Sequence, residues 1–196
     1  MKLPSRFRHF LILLASASLL FAAAPAPVSP LPDDASCTAA DRQFMLRAVE
    51  LAAAAYGHGN GAYGAVLVKD GKIIMEFEAQ STSSRDVTKH AETGLISAAS
   101  RKFGRDALAG TILYTSTEPC IMCCGAIRSA GIKEFIYGTT GLQVARLRGT
   151  KLPENPLQCR EVFERGASAD TKIRGPLLEA EGLAVHAVGL SRQASR

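Results

Sequence analysis

The chain has 196 residues, 47% of them hydrophobic and 21% charged, which is enough apolar mass for one buried core and too much for a disordered or fibrous protein. Its net charge is +5, but Lys2, Arg6 and Arg8 lie in an N-terminal stretch without acids, and without them the charge is +2. So small an excess leaves no footprint of the kind that marks a polyanion-binding domain.

Residues 1–24 read as an export signal. A basic segment from Lys2 to His9 precedes the apolar run Phe10 to Phe21 and then Ala22-Ala23-Ala24-Pro25-Ala26. The apolar run is shorter than the ~20 residues that cross a bilayer as a helix, so cleavage, a periplasmic or secreted location and no stable membrane association afterwards are expected. An uncleaved signal anchor and a buried first helix are the alternatives. Residues 25–40, which begin PAPVSPLPDDAS, read as a proline-rich linker, and the folded domain is expected over 41–190.

In that domain DRQFMLRAVELAAAAY places Phe44, Ala48, Leu51, Ala52 and Ala55 on one helical stripe, with Asp41 as N-cap and Gly57 as stop. AYGAVLVKDGKIIMEFEA reads as two strands joined at Asp70-Gly71, a strong hairpin signal. After a polar turn at residues 81–86, Lys89 to Phe103 reads as a helix capped by Thr88, with Ala91, Leu95, Ala98 and Ala99 on its apolar face. TILYTST is a strand, CIMCCGAIRSA a helix ended by Gly131, and KEFIYG a further strand; this alternation predicts a layered α/β fold. Beyond Gly141 the expected order is a loop over Arg146 to Pro156, a short helix over Arg160 to Arg165, an edge strand over Thr171 to Ile173, and a last helix from Pro176 to Ala187.

The five cysteines are Cys37, Cys120, Cys123, Cys124 and Cys159. Export invites a disulfide reading, but the number is odd and three crowd into one stretch, which a metal site explains better. His90-Ala91-Glu92 and Pro119-Cys120-Ile121-Met122-Cys123 together give H-x-E-x26-P-C-x2-C. Two cysteines three apart at a helix start share a face, so both thiolates can reach one ion, and zinc accepts them at about 2.3 Å. His90 supplies a third, neutral ligand. Three protein ligands leave the fourth position for water, whose pKa then falls towards ~7, and Glu92 stands close enough to carry its protons. A lone histidine is more often a surface residue, and a lone C-x-x-C in an exported protein a redox pair or half of a structural zinc site; together with Glu92 they point to an open catalytic site. Cys124 lies about a third of a turn from Cys123 and reads as a small core residue. Cys37 and Cys159 are free or paired with each other.

Residues 41–138 resemble the cytidine-deaminase-like superfamily. GAYGAVLVKDGKII, TKHAETGLISAA, LYTSTEPCIMCCGAI and AGIKEFIYG are similar to the branch that contains bacterial guanine deaminase, fungal-type cytosine deaminase and tRNA adenosine deaminase. CREVFERGASADTKIRGPLLEAEGLAVH resembles, more loosely, the C-terminal region of bacterial nucleoside deaminases. The resemblance implies a three-layer α/β/α fold with a mixed five-stranded sheet, a homodimer, and Zn²⁺ on His90, Cys120 and Cys123. It also implies hydrolytic removal of an exocyclic amino group, Glu92 protonating first a ring nitrogen and then the leaving ammonia. Ala91 and Pro119, at the two helix starts, and Gln80 are the expected substrate contacts.

Three departures bear on the substrate. Relatives usually carry asparagine eleven residues before the metal histidine, where this chain has Ala79; Gln80 is the nearest amide. A common D-P-T-A-H becomes Asp86-Val87-Thr88-Lys89-His90, which puts a positive charge at the expected pocket edge. Many relatives close the pocket with a C-terminal aromatic residue; without any tryptophan, this pocket is either more open or closed by Phe163 or another residue.

The expected substrate is a free base or nucleoside, guanine-like aminopurines included, and export argues against a nucleic-acid partner such as tRNA. One alternative is a secreted nucleotide or nucleic-acid deaminase, supported only by the basic loop Arg146, Arg148, Lys151. The other is a zinc-stabilised binding protein without turnover, motivated by Ala79 and opposed by Glu92, which a structural site has no use for.

Overall fold

A computed structural model describes residues 29–152, 156–166 and 170–193; the expected export signal lies outside them. Among the described residues no helix is long and apolar enough to cross a membrane. The first helix, α1, spans Ala39–Gly57. Thr38, not Asp41, caps it: the Thr38 hydroxyl accepts from the Asp41 N–H while the Asp41 carboxylate accepts from the Thr38 N–H, a reciprocal capping box. Strands β1 (Gly64–Lys69) and β2 (Lys72–Glu78) follow as an antiparallel hairpin. Its turn holds Asp70 at φ 50° and Gly71 at φ 71°, the left-handed pair that Asp-Gly adopts readily.

Helix α2 (Ala91–Phe103), strand β3 (Ile112–Thr117), helix α3 (Ile121–Ala130) and strand β4 (Glu134–Thr139) come next. The chain continues through α4 (Gly141–Leu147), α5 (Cys159–Arg165), β5 (Lys172–Arg174) and α6 (Glu179–Gln193). The sheet order is β2-β1-β3-β4-β5, with β1 antiparallel to both β2 and β3, and β3, β4 and β5 parallel. Side chains alternate across it. Ala65, Leu67, Leu113 and Phe135 face a core with Leu95 of α2, Ile127 of α3 and Phe163 of α5. Val66, Val68, Tyr114 and Ile136 face Met45 and Ala48 of α1. Helices therefore cover both faces, and the fold is the expected mixed five-stranded, three-layer α/β/α arrangement. α1 lies so close to β1 that a Cβ at Gly64 would come within 2.3 Å of the Ala48 carbonyl oxygen.

Several local expectations are corrected. α2 begins at Ala91 with His90 at its cap, because the Thr88 hydroxyl is spent on the Asp86 carboxylate instead. The expected loop from Arg146 starts later, because α4 runs to Leu147, with the Thr140 side chain accepting from the Gln143 N–H as its N-cap. The last helix starts at Glu179 rather than Pro176, since Leu178 stands in the left-handed region at φ 60°, which a right-handed helix cannot include. It also runs past Ala187, to Gln193.

The folded part reaches back before Asp41. Residues 29–37 have no helix or strand but are pinned to the C-terminal region: Asp34 accepts from the Gly175 N–H at 2.9 Å, Asp33 from Leu178 N–H at 2.8 Å, and the Ser29 carbonyl from Gln143 Nε2 at 2.7 Å. Beneath this strap, buried Arg174 makes a forked pair with Asp41 (2.7 and 3.2 Å) and bonds to Glu134. The Tyr114 hydroxyl also donates to Asp41, at 2.6 Å. Burial alone would raise the Asp41 carboxyl, but these donors outweigh it and hold the group well below the usual carboxylate range.

Candidate metal centre and catalytic cleft

His90 and Cys120 occupy the same structural position on two neighbouring helices. Each is an N-cap with extended backbone, at φ −68°, ψ 167° and φ −70°, ψ 171°. Each therefore stands at the positive end of a helix, where thiolate charge is favoured. Pro119 fixes the turn from β3 into α3, and its carbonyl accepts from the buried Cys124 thiol at 3.5 Å. Cys124 is thus a core residue turned away from the ligands.

The three ligand atoms form a nearly equilateral triangle. Cys120 Sγ and Cys123 Sγ are 3.6 Å apart, and His90 Nδ1 lies 3.7 Å from the first and 3.6 Å from the second. A tetrahedral ion with bonds of ~2.2 Å has ligand edges of about 3.6 Å, so the triangle fits three corners of a zinc tetrahedron and leaves one corner to a small ligand. The soft thiolates with one imidazole are also the donor set zinc prefers. The Cys120 thiol is pulled down to about 4, chiefly by the hydrogen bond from Cys123 and further by His90, so it is an anion at neutral pH. Among the described residues this is the one group of three or more such side chains gathered closely enough to hold a metal.

Glu92 is the second residue of α2, 5% exposed, and does not belong to the triangle. Burial pushes its carboxyl up, while the Thr115 hydroxyl, 3.1 Å from its Oε1, acts in the opposite direction and orients it. A raised carboxyl accepts and releases a proton near neutral pH more readily than an exposed one. Thr115 is held in place by β1, through its pairing with Ala65.

His90, Cys120 and Glu92 open onto a cleft of about 290 Å³ at the carboxyl end of β3. Its other walls include Tyr63, Thr117, Glu118, Val144, Ala145 and Arg148. β1 runs antiparallel to β3, so Tyr63 just before β1 arrives at this same end, its ring nearly parallel to His90 (7°) with centroids 6.4 Å apart. Glu118 is a brace: its two carboxylate oxygens accept from the N–H groups of Gly141 and Cys159, the first residues of α4 and α5.

The three expected substrate contacts are not among the cleft walls. The Ala91 methyl packs into the core, and the Pro119 ring is buried. Gln80 is used structurally, its N–H bonded to the Lys89 carbonyl at 3.0 Å, which closes the loop that carries His90. Lys89 does not line the cleft either. Phe163 is buried against Phe135, 5.4 Å between centroids, and closes nothing. Cys37 and Cys159 are both free and belong to clusters on opposite faces of the sheet, which rules out a bond between them.

Sequence reasoning did not find His186. It comes from α6, is 3% exposed, and joins Arg148 to Thr117: Arg148 Nη2 lies 3.3 Å from His186 Nδ1, and His186 Nε2 lies 3.0 Å from Thr117 Oγ1. Burial, and next the Arg148 charge, push His186 down to about 4, so it is neutral. Because guanidinium only donates, Nδ1 accepts and Nε2–H donates to Thr117. The Thr117 hydroxyl then keeps its own proton for a ligand in the cleft.

Comparison with known proteins gives a consistent picture. The family model "Cytidine and deoxycytidylate deaminase zinc-binding region" matches residues 38–139. Guanine deaminase of Bacillus subtilis is 47% identical over 95 residues, 48% of this chain and 61% of that protein, so the match spans about three fifths of its length. A probable cytosine deaminase of Schizosaccharomyces pombe is 31% identical over 74% of this chain and 90% of its own length. A tRNA-specific adenosine deaminase of Agrobacterium fabrum is 43% identical over 38% of this chain and 49% of its own. The solved guanine deaminase of Nitrosomonas europaea superimposes with a TM-score of 0.66 at 21% identity, covering 86% of this chain and 90% of that one, a likeness of fold.

Proposed function

The chain belongs to the cytidine and deoxycytidylate deaminase zinc-binding family, and we propose that it is an exported enzyme that hydrolyses the exocyclic amino group of a nucleobase or nucleoside. The observation that carries this reading is Glu92. It is a buried carboxylate outside the ligand triangle, yet it opens on the same cleft as His90 and Cys120. A structural zinc site has no role for such a group.

His90, Cys120 and Cys123 would hold Zn²⁺, which when bound supplies a Lewis acid and a water acidified to near neutrality. Glu92 would be the proton carrier of the reaction: of the two protons of the attacking water it would pass one to a ring nitrogen of the substrate and the other to the departing amine. Water and the aminoheterocycle thus become an oxoheterocycle and ammonia. Thr115 keeps the Glu92 carboxylate oriented between these transfers. The face of Tyr63 offers the ring a stacking wall, and the Thr117 hydroxyl a donor to a ring carbonyl or nitrogen, a role Ala79 cannot fill.

The relatives named above as guanine and cytosine deaminases support a small heterocycle, and so does the nearly balanced charge of the chain after its first 24 residues. The basic and apolar N-terminal stretch supports export, and a homodimer is the assembly the family resemblance suggests. The test is ammonia release from guanine, adenine, cytosine and their nucleosides. The reading requires release from at least one, abolished by chelation and restored by zinc; a metal-replete protein inert on all of them would refute it.

A further inference from the structure

One wall of the catalytic cleft is carried by α4, which supplies Gly141, Val144 and Ala145 and is followed directly by Arg148. A helix of seven residues is far below the roughly 12–15 that hold together in water by their own hydrogen bonds, so its position is set by what it touches. The metal side stands differently. His90, Glu92 and Cys120 sit on or at the starts of α2 and α3, whose apolar faces are packed into the core beside the sheet.

Besides Glu118, two buried side chains support α4, and both lead to the N-terminal strap. Glu179, 1% exposed at the start of α6, accepts at Oε1 from the Thr140 N–H (2.9 Å) and the Thr140 hydroxyl (2.8 Å), and at Oε2 from the Leu31 N–H. The Thr140 hydroxyl in turn accepts from the Gln143 N–H, and Gln143, also buried, donates from Nε2 to the Ser29 carbonyl at 2.7 Å. These bonds close a ring through Ser29, Gln143, Thr140, Glu179 and Leu31, with the strap on one side and the first turn of α4 on the other. Asp33 and Asp34, accepting from the N–H groups of Leu178 and Gly175, fix the strap to the chain that leads into α6. In such a buried network each bond holds its neighbours in place, so losing one donor loosens the rest.

From α4 the contacts run on into the cleft. Arg148 Nη2 lies 3.3 Å from His186 Nδ1, and His186 Nε2 lies 3.0 Å from Thr117 Oγ1. A shift of α4 therefore moves Val144 and Ala145 and breaks that line at Arg148, while the ligand triangle, on other elements, stays.

We infer that residues 29–34 and Glu179 belong to the substrate-binding apparatus: the strap, clasped by Glu179 and Gln143, sets where α4 stands and thereby the shape of the cleft. Glu179 and Gln143 are positioning residues, since neither lines the cleft. The inference rests on the deaminase reading for what the cleft holds. The strap gives no group to the metal or to the proton transfers, so loosening it removes binding made equally in the ground and transition states; KM rises and kcat stays.

Leu31→Pro in the full-length chain tests this, because proline lacks the N–H that Glu179 accepts and suits a segment already flanked by Pro30 and Pro32. Leu31→Ala is its control: the side chain is 47% exposed and the N–H remains. Glu179→Gln breaks the same bond from the other end, since an amide whose oxygen serves Thr140 turns its NH₂ towards the Leu31 N–H. On the compound the zinc-loaded parent turns over best, Leu31→Pro and Glu179→Gln should each raise KM by roughly 5- to 20-fold, with kcat within about twofold. Zinc content should stay at the parent level, and Leu31→Ala should match the parent throughout. In an Arg148→Met background the same two substitutions should raise KM by a smaller factor, because part of their effect passes through Arg148. Hydrogen exchange gives a readout that needs no turnover: the amides of α4 and Arg148 should exchange faster in both variants, and those of α2 and α3 at parent rates. An unchanged KM would overturn the inference even with faster exchange in α4, and so would unchanged exchange in α4. Joint loss of zinc and kcat would overturn it too, by making the strap a support of the whole fold. A parent that releases ammonia from none of the bases and nucleosides would overturn the deaminase reading instead, and exchange in α4 would still decide whether the strap holds that wall.

Discussion

Replacing Arg174 by methionine removes the buried cation that joins Asp41 to Glu134 and leaves Glu134 its exposed partner Lys172. Arg174 and Asp41 have side chains 9% and 7% exposed, and the guanidinium also bonds to Glu134 at 2.7 Å and to the Ser36 carbonyl at 3.2 Å. The substitution approximately keeps the volume of the stem but strands Asp41 with only Tyr114 and Thr38 as donors. Breaking such a pair from one side typically costs about 3–5 kcal/mol. For a domain of this size that corresponds to a fall in Tm of roughly 6–20 °C. The sign of the pH dependence is a second check. In the parent, Asp41 is depressed, so its contribution is complete above the ordinary carboxylate value of 3.8 and is lost as pH falls through the lower folded value. In the variant burial acts without its main counterweight, the carboxyl rises, and protonation relieves the stranded charge. The stability difference between variant and parent should therefore shrink as pH is lowered from 7 to 5, and Asp41→Asn added to Arg174→Met should recover part of the loss. Urea unfolding followed by circular dichroism measures both. A loss below ~1 kcal/mol, or a difference that does not change with pH, would refute the argument.

Two further outcomes follow from the cleft. His186 is held down at about 4 in the folded protein, whereas the unfolded chain takes up the proton near 6.5; stability should fall as pH drops through 6.5, by a few kcal/mol in total, and level off below about 4, and His186→Gln should flatten that part of the urea-derived profile. Thr115→Val removes a donor to Glu92, so its carboxyl should rise further: the acidic limb of the kcat/KM profile should move to higher pH and activity fall by about tenfold, with zinc content unchanged. An unmoved limb would show that Thr115 does not act on Glu92.

The centre of the site was legible in the sequence because its parts are local. His90 and Glu92 share one helix start, Cys120 and Cys123 another, and ligand spacing within a helix turn is fixed by the backbone. Asp70-Gly71 announced the hairpin for a similar reason, a conformational requirement met by two adjacent residues. The outer wall was not legible. His186 and Arg148 meet Thr117 only after α4 and α6 have packed at the end of the sheet, and a buried neutral histidine leaves no periodic mark in a helix such as EAEGLAVHAVGLSRQ. Asp33 and Asp34 read as linker polarity because their partners, Leu178 and Gly175, stand more than a hundred residues away. Pro176 suggests a helix start, but Leu178, at φ 60°, breaks the helical backbone two residues later, a conformation that a leucine does not announce. Gln80 is the amide nearest in sequence to Ala79, but its backbone N–H closes the loop that carries His90, a long-range pairing that leaves no mark in the sequence.

The most direct measurement is ammonia release by the zinc-loaded Glu92→Gln protein beside the parent, on whichever heterocycle the parent turns over best. The amide keeps the size of the carboxylate, and Glu92 is not one of the three residues gathered to hold the metal, so zinc content and Tm should stay at parent values. Turnover should fall by at least the ~10²–10⁴ that a general acid–base group supplies, because this one serves more than one proton transfer. A variant that retains zinc and also retains the parent rate would contradict the mechanism.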